Sequence, residues 1–293
     1  MSTPTAPSPL EPLAERLEGT EALDPVAAKV GEVVRSVIKP GVAKDVLAGT
    51  WLGHALHPLL TDVVIGSWTS ASVLDLVGGR QSQPAARRLI GVGIAAYPVT
   101  ALTGAHDWAD TELGDPAARR LGLVHAATNA VALGFYAASL VARGRRGGRA
   151  RGTALALAGG GVLAAGGWLG GHMSYVQGVG VDQTTFDRGP TDWTAAMDAA
   201  ALAPGATATA VVEDTPVLLH RSAGGVVALH DRCSHRGCSL AGGTFQDGYV
   251  ECPCHGSRVD LQEGTVLRGP ATSPQPAFET RESAGRIEVR RRA

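Results

Sequence analysis

Cysteine is scarce in this chain of 293 residues. There are four, all within the last 61 positions, so any thiolate site or disulfide is confined to the C-terminal end. An excess of basic charge is also lacking. Lysine and arginine number 26 against 27 acidic residues, for a net charge of −1, and no segment interleaves bases with aromatics, so nucleic acid is not an expected partner. The first twenty residues lack the charged-then-apolar pattern of a cleaved signal peptide, so export would have to be directed from inside the chain. Nothing in the composition points to disorder or fibrous repeats.

What is present is divided unevenly. Apolar and Gly/Ala-rich runs fill residues 46–180, a polar, acidic stretch follows at 181–198, and the cysteines come after it. Four stretches, 49–76, 89–109, 121–142 and 153–173, have the length and apolarity to cross a bilayer as helices. Helices this apolar on all sides need lipid or a much larger protein around them. The expected organisation is an extramembrane segment over 1–48, an all-α four-helix transmembrane bundle over 49–178, a linker over 179–204 and an all-β domain over 205–293.

Loop charges orient the spans. The connection 78–88 carries Arg80, Arg87 and Arg88 without an acid, and 143–151 carries five arginines without an acid, so both should stay cytoplasmic. The connection bearing Asp107, Asp110, Glu112 and Asp115 belongs outside, as does the N-terminal segment with its seven acids against five bases. Four spans then place the C-terminal domain on the extracytoplasmic side of a bacterial-type plasma membrane. Arg145-Arg146 ahead of the weakly apolar fourth span resembles the export signal of folded, cofactor-loaded proteins, although simple positive-inside anchoring explains the same arginines.

Within the fourth span, Gly166, Gly167, Gly170 and Gly171 recur at four-residue spacing, which suits close helix contact. Five of the nine histidines, His54, His57, His106, His125 and His172, fall at the outer ends of the spans. That grouping invites a membrane cofactor, either a b-type haem or a quinone pocket. The simpler account is hydrogen bonding to Asp62 and Asp107, or snorkelling to water. The stretches His57-Pro58 with Asp62, and Thr103-Gly104-Ala105-His106-Asp107-Trp108, resemble the first- and second-helix motifs of an uncharacterised four-span membrane family. That resemblance implies the topology and no activity.

Beyond the bundle, the runs TATAVV, VLLH, VVALH, YVEC and RIEVR are short, strand-like and punctuated by glycine, which predicts the all-β domain. Within it the ligand types come as Cys233-x-His235, a gap of sixteen residues, then Cys252-x-x-His255. Sulfur and nitrogen donors paired at this spacing signal a metal, and two of each would satisfy a tetrahedral structural zinc.

The segments CSHRGC at 233–238 and CPCHGS at 252–257, followed by Gly269-Pro270-Ala271, resemble the two cluster-binding loops and the proline-rich third loop of the Rieske [2Fe-2S] family. The resemblance implies one [2Fe-2S] cluster per chain, with Cys233 and Cys252 on one iron and His235 and His255 on the other. Neutral imidazoles replacing two thiolates make such a cluster less negative and raise its potential. They also couple reduction to protonation where their nitrogens are accessible.

The quinol-oxidising members of the family further imply a disulfide between Cys238 and Cys254, in keeping with an oxidising compartment. They imply Ser257 as a hydrogen-bond donor to a cluster sulfide. Where those members usually carry a second donor, a tyrosine, this chain has Val259. The expected potential therefore lies between those of ferredoxin-type and quinol-oxidising Rieske proteins. His220 and His230 lack motif context and read as surface histidines.

The function expected is that of a membrane-anchored carrier of single electrons between a membrane donor, quinol or haem, and a redox partner protein. It would be an electron-transfer component more than a stand-alone enzyme. The alternative is a redox sensor whose cluster state is read by the bundle. An oxygenase would need a second iron site with two histidines and a carboxylate, and the 38 residues after His255 contain no histidine.

Overall fold

The computed structural model describes residues 9–246 and 248–292; residues 1–8, where the N-terminal expectations begin, lie outside the described residues. The chain divides into two compact units, one built from 1–39 and 56–179, the other from 40–55 and 180–293. The helices are α1 (Glu11–Glu18), α2 (Asp24–Val37), α3 (Val42–Ala48), α4 (Leu56–Val77), α5 (Gln83–Thr111), α6 (Pro116–Arg143) and α7 (Arg149–Tyr175). All but α3 belong to the first unit.

The four long helices α4 to α7 are apolar enough to cross a membrane. They form a closed ring in which α4 packs on α5, α5 on α6, α6 on α7 and α7 back on α4. Three of the four run past the apolar stretches read from the sequence, because polar end-turns continue the helix. The first span instead starts late: Gly49 and Gly53 both take left-handed φ, of +85° and +79°, and break the chain between α3 and α4.

Aromatic stacking and missing Cβ atoms hold the ring together. Trp68 stacks on Tyr136 with centroids 4.1 Å apart, and both are fully buried. Only glycine fits opposite, since a Cβ at Gly93 would lie 2.2 Å from the Trp68 indole nitrogen. On α7, a Cβ at Gly166 would lie 2.6 Å from Asn129 and one at Gly170 would lie 3.1 Å from His125, both on α6. Of the four-residue glycine series it is these two that face α6. Described residues of the N-terminal segment are tied to the long helices. Arg120 of α6 is held by Asp24 and the Glu18 carbonyl, and Arg35 of α2 reaches the buried Glu112 at 2.6 Å.

The second unit is all-β apart from α3 and short 3-10 turns. Its strands are β1 (Thr194–Asp198), β2 (Thr207–Val212), β3 (Thr215–Ser222), β4 (Gly225–His230), β5 (Thr244–Gln246), β6 (Tyr249–Glu251), β7 (Arg258–Asp260), β8 (Val266–Arg268), β9 (Ala277–Ser283) and β10 (Arg286–Arg291). One antiparallel sheet has the order β1-β10-β9-β4-β3-β2, and a smaller one runs β5-β6-β7-β8. Residues 194–198, expected in a linker, thus form an edge strand paired with β10.

Alternation along β3 builds two cores. Leu218 packs with Leu229, Cys233, Val250, Cys252 and Val259, whereas its neighbours Val217 and Leu219 pack on the opposite face with Phe278, Ile287 and Val289. Two cysteines therefore form part of a hydrophobic core.

Candidate metal centre

Two loops carry the predicted donors. The first, 233–238, follows β4; the second, 252–257, joins β6 to β7. They are closed by the same pair of hydrogen bonds. In the first, Gly237 N–H donates to the Cys233 carbonyl at 2.8 Å and Cys233 N–H to the Cys238 carbonyl at 2.7 Å; in the second, Gly256 N–H donates to Cys252 at 3.0 Å and Cys252 N–H to Ser257 at 2.8 Å. Gly237 and Gly256 each sit at φ +76°, the left-handed conformation that this turn needs and a side chain would oppose. The turn also aims amides inward. The N–H groups of His235 and Arg236 donate to the Cys233 sulfur, and those of Cys254 and His255 donate to the Cys252 sulfur.

The loops bring like to like. Cys233 and Cys252 are buried, at 1% and 2% exposure, and hydrogen-bond to each other through sulfur. His235 and His255 are half-buried, their rings edge to face with centroids 4.9 Å apart. Among the described residues no three His, Cys, Asp or Glu side chains converge as ligands of a single ion. The pairing of thiol with thiol and imidazole with imidazole suits a binuclear centre with sulfur donors on one metal and nitrogen donors on the other.

The electrostatics agree. The hydrogen bond with Cys252, followed by burial, pushes the Cys233 thiol up, while the bond from Cys233 holds Cys252 down at about 6. The metal-free pair thus keeps one proton between two sulfurs, and metal binding requires its release. The donor set fits a [2Fe-2S] centre.

Three further features fasten the loops. Cys238 and Cys254 form a disulfide across them, and Cys254 lies at the surface. Ser257 is fully buried; its Oγ accepts from Ala271 N–H at 2.9 Å, which leaves the hydroxyl proton to donate elsewhere. Gln275, at 1% exposure, accepts from Ser234 N–H at 2.9 Å through its side-chain oxygen and donates to the His230 carbonyl at 2.7 Å. The third loop therefore holds the first through Gln275 and the second through Ala271.

Sequence reasoning missed several supports. Asp45 of α3 accepts from Gly269 N–H at 3.0 Å, so the segment before the first span folds onto the third loop. His230 is not a surface residue. It is fully buried, its Nδ1 accepting from Arg232 N–H at 3.1 Å and its Nε2 lying 3.3 Å from Asp187. Burial pushes its pKa below the ordinary value, against the opposing pull of Asp187. His220 is half-buried and stacks on Phe245 at 4.7 Å. The local signal for Gln275 is its position in a proline-rich stretch, and its side-chain partners lie more than forty residues away.

The five histidines assigned to the outer membrane face divide. His54 precedes α4, belongs to the β unit, and bonds the adjacent Ala55 carbonyl at 3.0 Å. His172 bonds Glu18 of α1 at 3.0 Å. His57, His106 and His125 form a group. His57 Nδ1 faces the Thr100 carbonyl at 2.9 Å and its ring fills the space a Cβ at Gly104 would take; His106 Nδ1 lies 2.9 Å from Asp107. His125 Nδ1 faces the Gly166 carbonyl at 2.9 Å, and His57 is within electrostatic range of both His125 and Asp107. Asp62 is exposed and makes no bond to these histidines among the described residues.

Comparison with known proteins accords with this division. Residues 192–279 match the model of the Rieske [2Fe-2S] domain, and residues 53–183 match that of a predicted membrane protein family (DUF2231). The chain is 34% identical over 82 residues to the anthranilate 1,2-dioxygenase ferredoxin subunit of Burkholderia cepacia, spanning 28% of this chain and 76% of that protein. It is 35% identical over 80 residues to the 3-phenylpropionate/cinnamic acid dioxygenase ferredoxin subunit of Escherichia coli (strain K12), spanning 27% and 76%. Among solved structures it is similar to the ferredoxin of carbazole 1,9a-dioxygenase from Nocardioides aromaticivorans IC177, with 25% identity, 35% of this chain and 100% of that chain covered, and a TM-score of 0.33.

Proposed function

Because this chain belongs to the Rieske [2Fe-2S] family, we propose that it is a membrane-anchored carrier that takes single electrons from a membrane donor and passes them to a redox partner protein outside the cytoplasm. The Rieske domain implies iron-sulfur electron transfer, and the four apolar helices, with the match to a predicted membrane protein family, support a membrane location. When bound, the cluster supplies a one-electron couple.

One observation carries the reading: the thiolate pair is sealed in a hydrophobic core while the imidazole pair is half-exposed. Of the four donor side chains, His235 and His255 are therefore the more exposed, the edge a partner would approach. Four amide N–H groups aimed at the two sulfurs, with the buried Ser257 hydroxyl, favour the more reduced charge state. The outward placement of this domain is supported by the Cys238–Cys254 disulfide and by the acid-free, arginine-bearing connections 78–88 and 143–151.

For the membrane donor, the geometry of His57 and His125 accommodates either quinol or haem. A carbonyl can only accept, so each neutral ring keeps its proton on the nitrogen facing one and presents Nε2 as an acceptor. An acceptor nitrogen suits a quinol hydroxyl or an iron alike. The full-length protein in detergent separates these. A Soret band indicates haem, whereas quinol-dependent bleaching of the cluster without one indicates quinol. If the purified protein, loaded with iron and sulfide, shows no one-electron wave in a redox titration, the carrier reading is wrong.

The sensor reading has one observation in its favour. The segment 40–55, fastened to the third loop by Asp45, continues directly into α4. Reduction would have to change the protease sensitivity of the bundle for that reading to hold.

A further inference from the structure

At the arginine-rich end of the bundle, a cavity of about 630 Å³ opens between the first turns of α5 and α7 and the end of α6. It is lined by Gln83, Pro84, Arg87, Arg88, Leu140, Arg143 and Arg149. No acidic residue lines it. Its floor is built: Arg143, with a side chain only 3% exposed, pairs with the fully buried Asp75 and donates to Gln83 Oε1 at 2.8 Å, while Gln83 donates to Asp75 at 2.9 Å.

Asp75 thus neutralises Arg143 alone. The side chains of Arg87, Arg88 and Arg149 make no hydrogen bond or ion pair among the described residues, and three uncompensated guanidinium groups remain around one cavity. The N-terminus of α7 opens on the same space and starts without a side-chain cap, whereas α6 is capped by Asp115 accepting from Ala118 N–H at 3.0 Å; at the start of α5, Pro84 has no N–H and the Gln83 N–H is taken by the Arg80 carbonyl. Uncapped amides and guanidinium forks are complementary to a phosphate.

We propose that this cavity binds the phosphodiester headgroup of an anionic phospholipid, with Arg87, Arg88 and Arg149 as its ligands and Gln83 with Arg143 as its floor. Lipid is favoured over a soluble phosphate because the cavity lies at the end of membrane-spanning helices, where the headgroup layer sits, and Leu140 and the arginine stems offer an apolar wall to the glycerol backbone.

The test uses the full-length protein, delipidated in detergent and examined by native mass spectrometry with phosphatidylglycerol, phosphatidylcholine or inorganic phosphate. Phosphatidylglycerol should be retained selectively, and each arginine removed should weaken it about fivefold. R87Q/R88Q/R149Q should lose it, while R145Q/R146Q/R151Q, which removes the same charge outside the cavity, should keep it. Equal retention of both lipids overturns the proposal, as does equal loss in the two triple variants. Displacement by millimolar inorganic phosphate would also overturn it, by reassigning the site to a soluble anion. Because the substituted arginines are peripheral to the packed core, lipid-free melting of both variants should match the parent and so separates lost binding from lost folding.

Discussion

Histidine has opposite uses in the two units. In the β domain, His235 and His255 are turned toward each other by loops whose remaining hydrogen bonds are made by backbone, glycine and the third loop. In the bundle, each of His57, His106, His125 and His172 is turned toward a separate acceptor, a carbonyl or a carboxylate. Donors facing one another at a surface make a metal edge. Donors each turned to an acceptor of its own within a helical bundle make a polar interior that can hold protons and bonds. Relatives of the β domain include ferredoxin subunits of dioxygenases, while the Cys238–Cys254 disulfide is the feature by which the loops resemble quinol-oxidising proteins.

Substitutions can break this contrast, and the largest effect should come from the buried thiol pair. Cys252→Ser should abolish iron and sulfide retention, whereas His106→Ala or His125→Ala should leave iron content at the parent level, as measured by metal analysis. Iron loss in the bundle variants would erase the distinction between the units.

The staple comes next. Cys238→Ala should cost about 3 kcal/mol, the chain-entropy value for a loop of this size, and should speed cluster loss on heating. Treatment of the parent with reductant should reproduce the effect, since Cys254 is at the surface. A reductant-insensitive parent would place the fastening elsewhere, with Gln275 and Ser257 as the remaining candidates.

Ser257→Ala is smaller in stability and clearer in redox terms. It strands the Ala271 N–H, at a cost of about 1–3 kcal/mol, and should lower the potential by removing a donor. Val259→Tyr is the converse. A phenol reaching a ligand sulfur should raise the potential, but Val259 is fully buried, so the ring must displace core at a cost of about 1–3 kcal/mol.

The smallest effect concerns pH. His230 is held neutral by burial, with Asp187, Asp231 and Arg232 around it, so its folded pKa lies below the unfolded one. Its contribution is present above about pH 6.5 and is lost as pH falls through the folded value, at a slope of at most about 1.4 kcal/mol per pH unit. Removing the side chain by His230→Asn should flatten that acid limb in denaturant titrations.

Much of this was legible along the chain. The spacing of Cys233, His235, Cys252 and His255 fixes loop chemistry within a few residues, and the apolar runs fix four helices, because both signals are local. What was not legible depends on partners far away in sequence. Asp45 and Gly269 are 224 residues apart, and nothing around Val42–Ala48 hints that it folds with the β domain. His230 reads as a surface residue in the sequence because no motif surrounds it. It lies inside the six-stranded sheet, covered by Leu218 and its neighbours on one side and Phe278 on the other, so alternation no longer predicts exposure. The start of the first span was misread for a different reason: apolarity continues through 49–55, and only the backbone of Gly49 and Gly53 ends it.

The claim that everything else rests on is a binuclear centre with sulfur donors inside and imidazoles at the edge. Electron paramagnetic resonance of the dithionite-reduced full-length protein, with metal and sulfide analysis of the same sample, tests it most directly. Iron and acid-labile sulfide in equal amounts, with the low average g value of mixed sulfur and nitrogen ligation, are the predicted result. Stoichiometric zinc, or an all-thiolate type of spectrum, would contradict it.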